Sequence, residues 1–132
     1  MSAYKFSFEK LEVWQLSRVL VIDIYKLMEQ FPEKEKYGLV SQMKRVAVSV
    51  SSNIAEGSTR HSAKDQARFS TIAYGSLIEL LNQLILSFDL QLILENQLLA
   101  LRNKIQALSV KLNNLRTTQI NCINSKPKNQ MN

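Results

Sequence analysis

The sequence predicts an all-α fold, an up-and-down four-helix bundle, on three observations. Apolar residues recur at three- and four-residue steps along most of the chain. Only three glycines (Gly38, Gly57, Gly75) and two prolines (Pro32, Pro127) are present, too few turn-forming residues for a many-stranded β protein. With 132 residues the chain suffices for one domain with its own core and leaves no room for a second. The expected organisation is an N-terminal extension over residues 1–8, the bundle over 9–118 and a disordered polar, basic tail over 119–132.

The first helix is expected from about Glu9 to Phe31, where Leu11, Trp14, Val21, Ile24, Met28 and Phe31 form one stripe and Leu16, Leu20 and Leu27 widen it. Pro32 ends it, because proline lacks an amide hydrogen and restricts the residue before it. A second helix is expected from about Glu35 to Gly57, with Leu39, Met43, Val46 and Val50 inside and Asn53 and Gly57 next on the same stripe. That phase points a polar residue inward.

After a sharp turn at residues 58–61, Ser62 opens a third helix as its cap, with Asp65 helping to satisfy free amides. The helix reaches about Phe88, with Phe69, Ala73, Ser76, Leu77, Leu80, Leu84 and Phe88 inside. Gly75 lies mid-helix at a propensity cost of about 1 kcal/mol against alanine, for which close backbone packing is the expected reason. In the fourth helix Leu94, Leu98, Leu101, Ile105, Leu108, Leu112 and Leu115 alternate steps of four and three, and the period fails after Thr118. Apolar stretches are interrupted before the ~20 residues of a membrane span, so a soluble protein without a membrane partner is expected.

Net charge is +6 and unevenly placed. Residues 1–95 carry 11 Lys/Arg and 11 Asp/Glu, whereas residues 96–132 carry Arg102, Lys104, Lys111, Arg116, Lys126 and Lys128 and no acid. Arg102 and Arg116 fall on one shoulder of the fourth helix and Lys104 and Lys111 on the other. The asymmetry suggests a contact surface for an anionic partner, above all nucleic acid, while a solvated helix face with a basic tail accounts for it as simply.

The residues of common catalysis are sparse. The one histidine, His61, falls in the predicted turn, and the one cysteine, Cys122, has no histidine near it in sequence. One His and one Cys cannot build a nitrogen–sulfur zinc site, and the glycines match no phosphate-loop spacing, so no enzyme activity, metal or cofactor is expected. The single cysteine and the missing Asn-x-Ser/Thr acceptor point to a reducing cytoplasm. A polar cluster remains at the second hairpin. Asn53 is expected opposite Arg68, with Glu56 opposite Asp65 and four residues before Arg60, as a network that fixes the hairpin or as a ligand pocket.

Several segments carry a resemblance. Phe8-Glu9-Lys10-Leu11-Glu12-Val13-Trp14, Phe31-Pro32, Tyr37-Gly38-Leu39, Gln42 with Arg45, and above all Ser49-Val50-Ser51-Ser52-Asn53-Ile54-Ala55-Glu56-Gly57 are the first of these. Arg60, Arg68-Phe69 and Ala73-Tyr74-Gly75-Ser76-Leu77-Ile78-Glu79 follow. Together they resemble the four-helix bundle proteins encoded in intervening sequences of bacterial 23S rRNA genes, over roughly residues 8–90. Ser51 stands where that family often has proline, and the tail is longer than usual.

The resemblance implies a homopentamer of up-and-down bundles. It also implies kinship with accessory proteins of diversity-generating retroelements, which contact a reverse transcriptase and nucleic acid. The resulting expectation is a non-enzymatic homo-oligomer that binds RNA through Arg102, Lys104, Lys111 and Arg116, helped by Lys126 and Lys128. A protein-interaction scaffold for a reverse transcriptase is the alternative.

Overall fold

The computed structural model describes residues 3–125, so the part of the expected tail from residue 126 onward, with Lys126 and Lys128, lies outside the described residues. Four long helices carry the fold: α1 (Glu12–Met28), α2 (Ser41–Gly57), α3 (Ala63–Asp89) and α4 (Glu95–Asn124). Among the described residues there is no strand. Each helix packs against the next and α1 closes the bundle against α4, which leaves α3 diagonal to α1. Short links between sequence neighbours make this the up-and-down arrangement.

The helix ends differ from the periodicity in ways with local causes. Ser7–Lys10 form a separate 3₁₀ turn, with the Phe6 amide donating to Glu9 Oε2 at 2.8 Å and Phe8 meeting Trp14 edge to face at 5.0 Å. The second helix does not start at Glu35. A 3₁₀ turn at Glu33–Glu35 runs into a π turn at Lys36–Val40, where Gly38 leaves helical geometry (φ −107°, ψ −109°), and regular α-helix begins at Ser41. Ser62 caps α3 as expected, its Oγ accepting the Asp65 amide at 3.1 Å.

The turn from α3 into α4 is a Schellman motif. The Leu92 amide donates to Ser87 O and the Gln91 amide to Phe88 O, both at 2.9 Å, while Gln91 itself takes the left-handed conformation (φ 62°). Gln97 then bonds three ways. Its Oε1 accepts the Leu94 amide and Gln30 Nε2, and its Nε2 donates to Gln30 Oε1 at 2.7 Å, which ties the end of α1 to the start of α4.

Leu20, Ile24, Met43, Val46, Val50, Leu77, Leu80, Leu84, Ile105, Leu108 and Leu112 form the fully buried centre. Each such side chain contributes about 1.5–3 kcal/mol of burial. The phase of α1 differs from the expected stripe: Val13, Ser17, Leu20, Ile24 and Leu27 face inward, and Leu11, Trp14, Leu16 and Val21 are only half-buried. Ser17 reaches the core by donating its hydroxyl to Trp14 O at 2.7 Å, which removes the cost of an unpaired polar group. Leu94, expected inside, is the exposed residue preceding α4.

Three further expectations are corrected. On α2 the inward position after Val50 belongs to Ile54, and Asn53 is half-buried beside it. The fourth helix does not end at Thr118 but runs to Asn124, because Gln119 still packs on the bundle and its Oε1 accepts the Ser70 hydroxyl at 2.8 Å. Finally, α3 is long and apolar enough in composition to cross a membrane, which no segment was expected to be. Here 33% of that window is buried, against α2 and α4.

Candidate nucleic-acid interface

The four bases expected to act together emerge from α4 on two different sides. Lys104 and Lys111 reach across to α1, where Lys104 pairs with Asp23 and Lys111 Nζ lies 3.1 Å from Glu12 Oε1. Both pairs are solvent-exposed in part, so each contributes less than about 1 kcal/mol to stability, yet each cancels a positive charge where it stands. A continuous strip of four cations is therefore not what α4 presents.

Arg102 and Arg116 face the α3 side. Arg102 is exposed and lines a groove of about 270 Å³ with Ile78, Leu81, Ile105, Gln106 and Ser109. Arg116 is half-buried, its guanidinium 4.7 Å from the centre of the Tyr74 ring and donating to Asn113 Oδ1 at 2.7 Å. Neither arginine has a carboxylate partner among the described residues. A guanidinium resting on an aromatic ring keeps in-plane donors available, the geometry that suits phosphate oxygens.

The hairpin between α2 and α3 is fixed differently from the expected network. Ser49 Oγ lies 3.0 Å from Ser76 Oγ, and a Cβ added at Gly57 would stand 2.8 Å from Phe69 Cβ, so α2 meets α3 in a register that puts Asn53 level with Ile72 and Ala73, not Arg68. Asn53 Nδ2 donates to Ser49 O at 2.8 Å and to Ser49 Oγ at 3.1 Å. Glu56 is exposed and joined neither to Arg60 nor to Asp65 by any bond among the described residues. The polar tie across the hairpin is thus Asn53–Ser49–Ser76.

Arg60 and Arg68 instead share one aromatic ring. Their guanidinium carbons lie 4.6 and 5.2 Å from the centre of Phe69, and both arginines are exposed without a carboxylate. Charge counting missed this pair because it lies in the balanced part of the sequence. Spacing alone could not bring Arg60 and Phe69 together, since the register of the turn decides it. His61 sits exposed in the turn, and Cys122 is exposed on the last turns of α4. Among the described residues no three His, Cys, Asp or Glu side chains gather as metal ligands would.

The end of the bundle nearest this hairpin holds a cavity of about 230 Å³, lined by Ser7, Leu11, Ile54, Gly57, Gln66, Gln119 and their neighbours. Its polar groups are hydroxyls and amides. Gln66 Nε2 is engaged with Arg60 O at 2.9 Å, and Gln119 with Ser70.

Comparison with known proteins agrees with this architecture. No curated protein sequence matches the chain. Among solved structures, a protein of unknown function from the S23 ribosomal protein family of Bacteroides thetaiotaomicron VPI-5482 superposes with a TM-score of 0.74 at 21% identity, over 80% of this chain and 95% of that one. At that identity the likeness speaks for the fold. Residues 9–114 match the family described as 23S rRNA-intervening sequence protein, and since the match covers most of the chain and reaches into all four helices, the chain belongs to that family.

Proposed function

We propose that this protein is a non-enzymatic, homo-oligomeric helical bundle, assembling as a homopentamer in the cytoplasm, that binds RNA by contacts to phosphate. The observation that carries the reading is the acid-free span after Glu95. Within it Arg102 and Arg116 stand free of carboxylates on the α3 side of α4, and Arg60 and Arg68 add two more unpaired guanidiniums at the hairpin. Phosphate contacts release counterions and carry little sequence information, so binding is salt-sensitive and weakly selective. Repetition around an assembly adds avidity without new contacts.

The test is binding of a generic structured RNA at several salt concentrations. Arg102→Glu with Arg116→Glu lowers affinity and flattens the salt dependence by about 0.7–0.9 in slope per lost contact. Lys104→Gln with Lys111→Gln changes it less, because Asp23 and Glu12 already neutralise those lysines. An unchanged affinity in the arginine variant would sink the placement of the surface.

The pairing of Lys104 and Lys111 also favours a second reading, because it halves the free charge on α4. In that reading the bundle is a scaffold for a protein partner such as a reverse transcriptase. A protein that ignores RNA at low salt but is retained by such a partner belongs to that class.

A further inference from the structure

We infer that the outward face of α3, centred on Gly75, docks onto the outer α1–α2 groove of a second copy of this chain. The inference rests on the oligomeric reading above and names the two surfaces it requires. Gly75 is exposed in the middle of a 27-residue helix, and a Cβ built there meets nothing within 4 Å. Within the chain, then, no neighbour needs the missing side chain, although glycine weakens a helix interior. Ile72 and Leu86, each 44% exposed, flank it one and three turns away on the same face, with Glu79 between them. An apolar stripe interrupted by a glycine is a surface that another backbone can approach closely.

A second surface of the same chain complements it. Across α1 and α2, Ile22, Tyr25 and Val48 form an open apolar groove whose charged members are Lys26, Lys44 and Glu29. The Lys44 ammonium rests 4.9 Å from the centre of the Tyr25 ring and, like Lys26, has no carboxylate partner among the described residues. Glu79 on the α3 face likewise has no cationic partner there. One face thus pairs apolar side chains with an acid, and the other pairs them with two bases and one acid, a net positive charge that complements Glu79.

The two faces do not overlap, because α3 lies diagonal to α1 in the bundle. One copy can therefore use both at once. That makes the contact heterologous, head to tail, the kind that closes into a ring when the rotation per copy allows it.

The experiment is light scattering of the full chain across a concentration series, with circular dichroism as the check on folding. Wild type is expected to form a defined assembly. Glu79→Lys and Lys44→Glu each shift dissociation to at least about tenfold higher concentration, as reversing one desolvated charge pair does, and the double variant restores assembly. Gly75→Leu keeps full helicity, since its side chain enters open space, and loses assembly. If wild type is monomeric throughout, the oligomeric reading and this inference both fall. If wild type assembles and the three single variants assemble equally well, the faces are wrong and the oligomeric reading stands.

Discussion

Replacing Gly57 with alanine adds one methyl group where α2 and α3 come closest. The new Cβ would lie 2.8 Å from Phe69 Cβ and 3.7 Å from both Phe69 Cγ and Gln66 O. Carbon atoms in good contact sit about 3.5–4.0 Å apart, so the overlap is roughly 0.7–1.2 Å. Phe69 Cβ is fixed to its own backbone, and a rotamer change cannot relieve the clash; α3 must move relative to α2. Overpacking of this kind costs about 1–3 kcal/mol, against a helix-propensity gain below about 1 kcal/mol because Gly57 is the last residue of α2. The net loss is about 1–2 kcal/mol. For a domain of this size each kcal/mol moves the midpoint by about 4 °C, so thermal unfolding followed by circular dichroism falls by about 4–8 °C. Wild type and variant must be compared at one protein concentration, because an assembling protein unfolds at a concentration-dependent temperature. A Gly57→Ala midpoint equal to or above wild type would refute the claim that close approach to Phe69 dictates glycine there.

Two other substitutions test the local accounts. Gln91→Gly relieves the left-handed backbone at the Schellman position, worth about 1–2 kcal/mol, and gives back about 0.4–1 kcal/mol through a more flexible unfolded chain. Urea denaturation should show a net gain of about 0.5–1 kcal/mol, and a loss would mean that the Gln91 side chain holds the turn. Lys104→Met removes an exposed ion pair with Asp23 and should change stability by less than about 1 kcal/mol, with the difference shrinking further at high salt. A salt-independent loss of several kcal/mol would show the pair to be far more desolvated than its exposure implies.

The four helices were legible because long apolar periods at three- and four-residue steps have few alternatives, and the cap at Ser62 and the helix-stopping Pro32 mark breaks that any such chain would need. Phase was harder. Along α1 the residues Leu11, Trp14, Leu16, Leu20, Val21, Ile24 and Leu27 cover more than half the circumference, and the inward choice falls on the side that includes Ser17. An apolar count cannot see a serine that satisfies its own hydroxyl on Trp14 O. On α2, Asn53 and Ile54 are adjacent and continue the stripe equally well by a step of three or four. The core takes the apolar one, and Asn53 is left beside Ser49.

The candidate surface was legible only as a charge surplus, since net charge says how many bases lack an acid in sequence, not which ones lack one in space. Glu12 and Asp23 come from the charge-balanced residues 1–95, yet the closure of α1 against α4 places them on Lys111 and Lys104. The same folding leaves Arg60 and Arg68 unpaired in a segment that looked neutral, because the register of the α2–α3 hairpin turns both guanidiniums to Phe69 while Glu56 and Asp65 join neither. Free positive charge is thus moved by the fold from the α1 side of α4 to its α3 side and to the hairpin. On the proposed reading an anionic partner would meet Arg60, Arg68 and Arg116 held on aromatic rings, whose planar donors would grip phosphate with less loss of side-chain freedom than mobile lysines.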